Sequence, residues 1–257
     1  MKKILIVGIN GKSTRILYNR LKEKYNVSVI IEDKISKTKF YKYRIKKLGI
    51  VTVVGQIIFS IYMKLYLEKK SLSKIRLLYL KYKLYDNPIP KNKIDYVKSI
   101  NSNIARRLIE SHSSIYVIVS GTRIISKKTL SIKEKYFINL HAGITPKYRG
   151  VHGAYWAFVN NDISNQGVTL HYVDPGVDTG KIIAQSKIET SENDNIITYP
   201  VIQLALGLDL IIKFLENKFN NKNYLFTDLS ANLDSKQYYH PTIWFYLYNS
   251  WFKGINK

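Results

Sequence analysis

Asn139 and His141 stand one residue apart in the run Phe137-Ile138-Asn139-Leu140-His141. Along an extended segment side chains alternate, so both project to one side and can reach the same small electrophile. An Asn amide there can donate to a carbonyl oxygen that is becoming an oxyanion, and loss of one such donor costs on the order of 10²–10³ in rate. A His titrating near neutrality can stabilise that oxygen or move a proton. Further along, Asp178 stands in Gly176-Val177-Asp178-Thr179-Gly180. A glycine turn lets its backbone approach closely, and its carboxylate can orient an imidazole and assist the proton transfer. Each residue alone has a plainer reading: a satisfied strand-end His, an Asx-type turn residue, a turn acid.

Other residues offer weaker chemistry. Lys147, Tyr148 and Arg149 follow His141 on a loop and either grip a phosphate or sugar or form a solvated loop. His171 precedes the aspartate turn and reads as a core or backbone-bonded histidine. His112, His152 and His240 lack metal spacing with carboxylates, so no metal is expected. In Gly8-Ile9-Asn10-Gly11-Lys12-Ser13 only two residues separate the glycines, where a P-loop needs four. The third glycine of a dinucleotide fingerprint is also missing. That turn either binds an anion at a helix N-terminus or is purely structural. The chain has no cysteine, which excludes disulfides, thiolate zinc sites, a cysteine nucleophile and iron–sulfur chemistry.

Elements that could position these residues are readable. Lys3–Val7 is a short apolar run suited to a sheet buried on both faces, followed by a helix over 15–25 that Ser13 or Thr14 could cap. A strand over 27–31 completes a βαβ spacing. Residues 34–85 read as basic and helical, and Asp86-Asn87-Pro88-Ile89-Pro90 breaks the pattern. A helix over 104–111, strands over 115–119, 136–140 and 167–173, and a helix starting near His152 follow. This alternation predicts an α/β domain, Rossmann-like, with a mostly parallel sheet flanked by helices. Ligands of such sheets sit beyond the carboxyl ends of the strands, where His141 and Asp178 would fall. A further helix reaches Phe219, and the last twenty residues crowd aromatics together. We therefore expect a domain over 1–190 with a basic insertion at about 34–90. The remaining helix and aromatic tail over 191–257 would serve for docking or dimerisation. Trp244 and Trp251, seven apart, share a helical face suited to packing, a dimer contact or stacking on a nucleotide base.

The run Asn139-Leu140-His141-Ala142-Gly143-Ile144-Thr145-Pro146, then Gly167-Val168-Thr169-Leu170-His171 and Gly176-Val177-Asp178-Thr179-Gly180, resembles the folate-dependent formyltransferases. That family includes glycinamide ribonucleotide transformylase, methionyl-tRNA formyltransferase and the sugar N-formyltransferases. The resemblance runs from about 115 to 185. It implies Asn139, His141 and Asp178 as catalytic residues and 10-formyltetrahydrofolate as formyl donor. The donor would lie along Ser120, Gly121, Thr122, Arg123 and Ile124, with Thr179 and Gly180 beyond. Many relatives place Pro-Ser after the catalytic His, whereas Ala142-Gly143 stands here.

Length and charge sort the acceptors. The chain has 257 residues and 41 Lys and Arg against 18 Asp and Glu, a formal charge of +23. Initiator tRNA suits that charge, but the tRNA-acting members carry a C-terminal β-barrel and only 67 residues follow Thr190. Glycinamide ribonucleotide is taken by shorter relatives. A nucleotide-linked amino sugar fits best, pointing to cell-surface polysaccharide (lipopolysaccharide) biosynthesis by a cytoplasmic homodimer. Anionic ligands explain part of the charge. Nucleic acid is not expected as a partner, and contact with a membrane surface is left open. The rival from another class is a basic module for nucleic acid or membrane on a catalytically idle scaffold.

Overall fold

The computed structural model describes residues 1–229, 233–252 and 254. The chain opens with β1 (Lys3–Gly8), α1 (Lys12–Leu21) and β2 (Asn26–Glu32). α1 is not capped by Ser13 or Thr14. Gly11 stands at its N-cap without a side-chain bond, and the Thr14 hydroxyl instead donates to Ser120 Oγ at 3.1 Å. The helix also ends four residues earlier than its pattern suggested, because Asn26 already pairs with Lys3 in the sheet.

The basic segment is helical: α2 (Lys37–Leu48), α3 (Ile50–Tyr62), a π-helical turn at Met63–Leu67, α4 (Glu68–Lys70) and α5 (Leu72–Lys81). Then come β3 (Ile94–Val97), α6 (Asn103–Ser111), β4 (Tyr116–Ser120), α7 (Lys127–Leu130) and β5 (Tyr136–His141). Ser102 caps α6 by accepting from the Ala105 N–H at 3.1 Å. The second half holds β6 (Arg149–Gly150), α8 (Gly153–Val159), β7 (Gly167–Tyr172), β8 (Ile182–Lys187), α9 (Tyr199–Asn220), β9 (Gln237–Tyr238) and α10 (Ile243–Phe252).

Seven strands form one sheet in the order β3-β2-β1-β4-β5-β7-β8. The first five are parallel, and β7 and β8 join antiparallel. Both faces are covered, which is why β1 and β4 read as unbroken apolar runs. One face packs Ile4, Ile6 and Ile118 against α1 and α9, and the other packs Leu5, Val7 and Val117 against Ala105 and Ile109 of α6.

The expected division at residue 190 is not what the packing shows. Ala205, Leu208, Ile211, Phe214 and Leu215 of α9 belong to the sheet's own core, so this helix is part of the central domain. The basic helices and the aromatic tail are joined to it by a second core, in which Phe59, Tyr155, Tyr199 and Tyr246 meet. The end of the tail, residues 253 and 255–257, lies outside the described residues.

Candidate active site

The carboxyl ends of β4 and β5 open onto a cleft of ≈ 1030 Å³. β5 carries Asn139 and His141 on one face, and its antiparallel register with β7 sets Asn139 directly opposite His171 and His141 opposite Thr169. Asp178 arrives from the loop between β7 and β8, at a positive φ of 52°. Its Oδ2 lies 3.2 Å from His141 Nδ1 and accepts the Gly150 N–H at 3.0 Å. Its Oδ1 accepts from Asn139 Nδ2 at 3.3 Å. Asp178 therefore contacts both residues expected to act with it, Asn139 and His141.

Partners fix the proton positions. His141 Nε2 lies 2.7 Å from the Tyr148 carbonyl, which can only accept, so that nitrogen carries a hydrogen. The neutral ring then turns its Nδ1 lone pair toward Asp178, and one proton between the two completes the contact. His171 Nδ1 likewise donates to the Tyr172 carbonyl at 2.8 Å, leaving Nε2 to accept from Asn139 at 3.2 Å. Burial pushes the His141 imidazole, only 5% exposed, below its ordinary value, against the opposing pull of Asp178 and the Tyr148 carbonyl. Burial alone would raise the Asp178 carboxyl. Against that, the neighbouring His171 ring, the His141 ring and the Gly150 N–H together hold it below the usual carboxylate range. The pair can thus take up one proton as a unit.

The loop after β5 is held by buried polar bonds. Thr169 Oγ1 donates to the Gly143 carbonyl at 2.7 Å and accepts the Thr145 N–H at 3.1 Å, while Gln185 Nε2 donates to the Thr145 carbonyl at 2.8 Å. A Cβ at Gly143 would meet the Tyr148 carbonyl at 2.3 Å and His141 Nε2 at 2.7 Å. The small residue after Ala142 is what lets the loop close over the imidazole.

The candidate binding residues divide. Gly121, Thr122, Arg123 and Ile124 line the cleft, as does Ile125. Arg123, however, turns its guanidinium away, where Nε meets Glu32 Oε2 at 2.7 Å and Nη2 donates to the carbonyls of Asp33 and Lys98. Ser120 lines an adjoining cavity of ≈ 800 Å³ beside Gly11 and α9. Thr179 is spent on the Asp174 carboxylate, and Gly180 packs against the Tyr172 carbonyl. Neither lines the cleft.

Lys147, Tyr148 and Arg149 do not face the cleft as binding residues would. Tyr148 is completely buried; its hydroxyl donates to Asp162 at 2.6 Å and its ring stacks on Tyr238. Lys147 pairs with the same carboxylate at 2.7 Å. Arg149 donates to the Val177 carbonyl at 3.0 Å and so braces the turn carrying Asp178. β6 and β9 pair in parallel beneath this turn, which makes the start of the aromatic tail a strut for the site.

Sequence reasoning missed His171 as a member of the cluster. Its period-two placement with Thr169 was a usable signal, but the register against β5 was not available. The structure sets His152 Nε2 2.9 Å from His240 Nδ1, and burial pushes the two rings down to about 3 and about 4 respectively. Among the described residues no group of three or more His, Cys, Asp or Glu could hold a metal ion.

Comparison with known proteins follows this geometry. The methionyl-tRNA formyltransferase of Thermodesulfovibrio yellowstonii is 33% identical over 119 residues, 46% of this chain and 38% of that protein. The alignment thus spans about two fifths of that relative's length. The fold is similar to that of a sugar N-formyltransferase from Shewanella sp FDAARGOS_354, at 14% identity and a TM-score of 0.53, covering 93% of this chain and 76% of that one. It is also similar to an N-formyltransferase from Helicobacter canadensis, solved in complex with folinic acid and dTDP-3-aminofucose. There the identity is 19% and the TM-score 0.52, over 93% of this chain and 71% of that one. The formyl transferase family model matches residues 20–200, more than half of the sequence. The chain belongs to the formyl transferase family.

Proposed function

We propose that the protein transfers a formyl group from 10-formyltetrahydrofolate to the amine of a nucleotide-linked amino sugar. The observation that carries the reading is the contact of Asn139, His141 and Asp178 at the strand end, at the floor of a cleft walled by residues 121–125. Apolar Val119, Ile125, Leu140 and Val173 in that wall suit a flat bicyclic ring. The donor supplies an electrophilic formyl carbon. As the substrate amine bonds to it, Asn139 Nδ2 donates to the oxygen that becomes an oxyanion. Both present bonds of that amide are long, so it can turn to this task at small cost. The His141–Asp178 pair takes the proton released by the amine nitrogen. When the carbon–oxygen double bond re-forms and the bond to the folate nitrogen breaks, the pair returns that proton to the leaving nitrogen, and tetrahydrofolate departs.

For the acceptor, the complex of the Helicobacter canadensis relative with dTDP-3-aminofucose supports an amino sugar. The curated relatives favour a second reading, methionyl-tRNA. Tetrahydrofolate release, followed with nucleotide-linked amino sugars, glycinamide ribonucleotide and methionyl-tRNA as acceptors, decides between them. Turnover with an amino sugar, lost in His141→Ala and Asp178→Asn, is expected. Turnover with no acceptor, or unaltered in both variants, rejects the mechanism; turnover only with tRNA or the ribonucleotide rejects the acceptor.

A further inference from the structure

Ile50 to Lys70 is one helical path of 21 residues, long and apolar enough by length and composition to cross a membrane. Its packing argues against crossing. One face is fused to the body of the protein, where Phe59 packs on Tyr246 at 5.0 Å between ring centroids and Tyr62 on the same ring at 5.9 Å. The opposite face is bare: Val51, Val54, Ile58, Ile61 and Leu65 are all exposed and recur at the three- and four-residue spacing of a single helical stripe. α10, a ten-residue helix without a charge, lies against α3 with the Trp244 ring over Gly55. Its outer residues Trp244, Tyr248, Trp251 and Phe252 are exposed too, Trp251 by 67%. An apolar surface on this scale is uncommon in a protein that meets only water.

Charge identifies what covers it. From Lys37 to Lys83 Glu68 is the only acidic residue, while α2, which packs on α3, carries Lys37, Lys39, Lys42, Lys46 and Lys47, every one exposed. An apolar stripe bordered by lysines, with Trp and Tyr at its edge, matches a bilayer surface of anionic lipid: the rings reach the acyl boundary and the ammonium groups stay among the headgroups. A second copy of the chain would set these lysines against one another. We propose that α3 and α10 form a face that seats the protein on an anionic membrane, lying on it rather than spanning it. The proposal is independent of the acceptor and of the residues of the cleft.

The test is co-sedimentation of the full chain with vesicles of phosphatidylcholine alone or rich in phosphatidylglycerol. Binding should require phosphatidylglycerol and weaken in high salt. Ile58→Asp with Leu65→Asp, both on the exposed stripe, should weaken it about tenfold or more with the thermal midpoint unchanged. Brominated lipid should quench tryptophan emission in the wild type and less in Trp251→Phe. Equal binding to both vesicles, no binding, or a dimer that dissociates in the double variant while vesicles go unbound would overturn the proposal.

Discussion

The cleft at the end of β5 and the outer face of α3 and α10 divide polarity in opposite ways. In the cleft, the polar groups at the strand end answer one another: Asp178 meets His141, Asn139 and Gly150, and Asn139 meets His171. On the helical face, large apolar side chains are exposed and the cations beside them stand in solvent. A buried polar cluster holds one arrangement because each unanswered group would be costly. An exposed apolar face holds its side chains only through the helices beneath, so its meaning lies in what it touches. The difference teaches that substitutions in the two regions should fail in different currencies: rate in the first, stability or surface binding in the second.

The largest effect expected is in the cleft. Asp178→Asn preserves shape but removes the charge, and turnover should fall by roughly 10²–10⁴ with the thermal midpoint almost unmoved. A loss of stability as large as the loss of rate would break the comparison. Beneath the helical face, Phe59→Ala removes a ring that is fully buried against Tyr246. Urea denaturation should show a loss of about 3–5 kcal/mol, while turnover per folded molecule stays unchanged. A fall in turnover of the folded fraction would show that the second core also shapes the cleft.

Arg123 sharpens the contrast, since it sits on the cleft wall yet serves the fold. Arg123→Met should cost about 3 kcal/mol, the low end for a broken buried pair because its side chain is 26% exposed. Adding Glu32→Gln should recover part of that loss by removing the stranded charge. A raised KM for the donor, with stability intact, would instead make the guanidinium a ligand.

The most gradual change concerns pH. His152 and His240 are neutral in the fold, with values near 3 and 4, but titrate near 6.5 when unfolded. Below pH 6.5 the unfolded chain binds more protons, so stability falls with pH down to about 4, where His240 begins to protonate in place. The slope should be at most about 1.4 kcal/mol per pH unit for each ring. Urea midpoints across that window measure it; a flat profile would mean that these rings stay hydrated.

Much of this was legible in the residues. Strands buried on both faces announce themselves as apolar runs, and β1, β2, β4 and β5 fall where such runs were read. Asn139 and His141 one residue apart on a strand end share a face whatever surrounds them, because the period of an extended chain is local. The basic helices of 37–81 were readable for a similar reason. By contrast, that Ile50–Lys70 is one helical path, continuous through its π-helical turn, is shown only by the structure.

What the sequence by itself determined is therefore whatever short-range chemistry dictates: the α/β alternation, the strand-end pair, the turn acid and the absence of thiol chemistry. Tertiary structure decided the rest. Register placed His171 opposite Asn139, packing buried Tyr148 and took Lys147 and Arg149 for the scaffold, and Glu32 drew Arg123 away from the cleft. It also drew α9 into the central core and left the stripe on α3 uncovered. The physical reason is range. Backbone periodicity is fixed by neighbours in the chain, whereas a long polar side chain goes wherever the folded protein offers a partner, and that partner stands 15 residues away for Lys147 and 91 for Arg123.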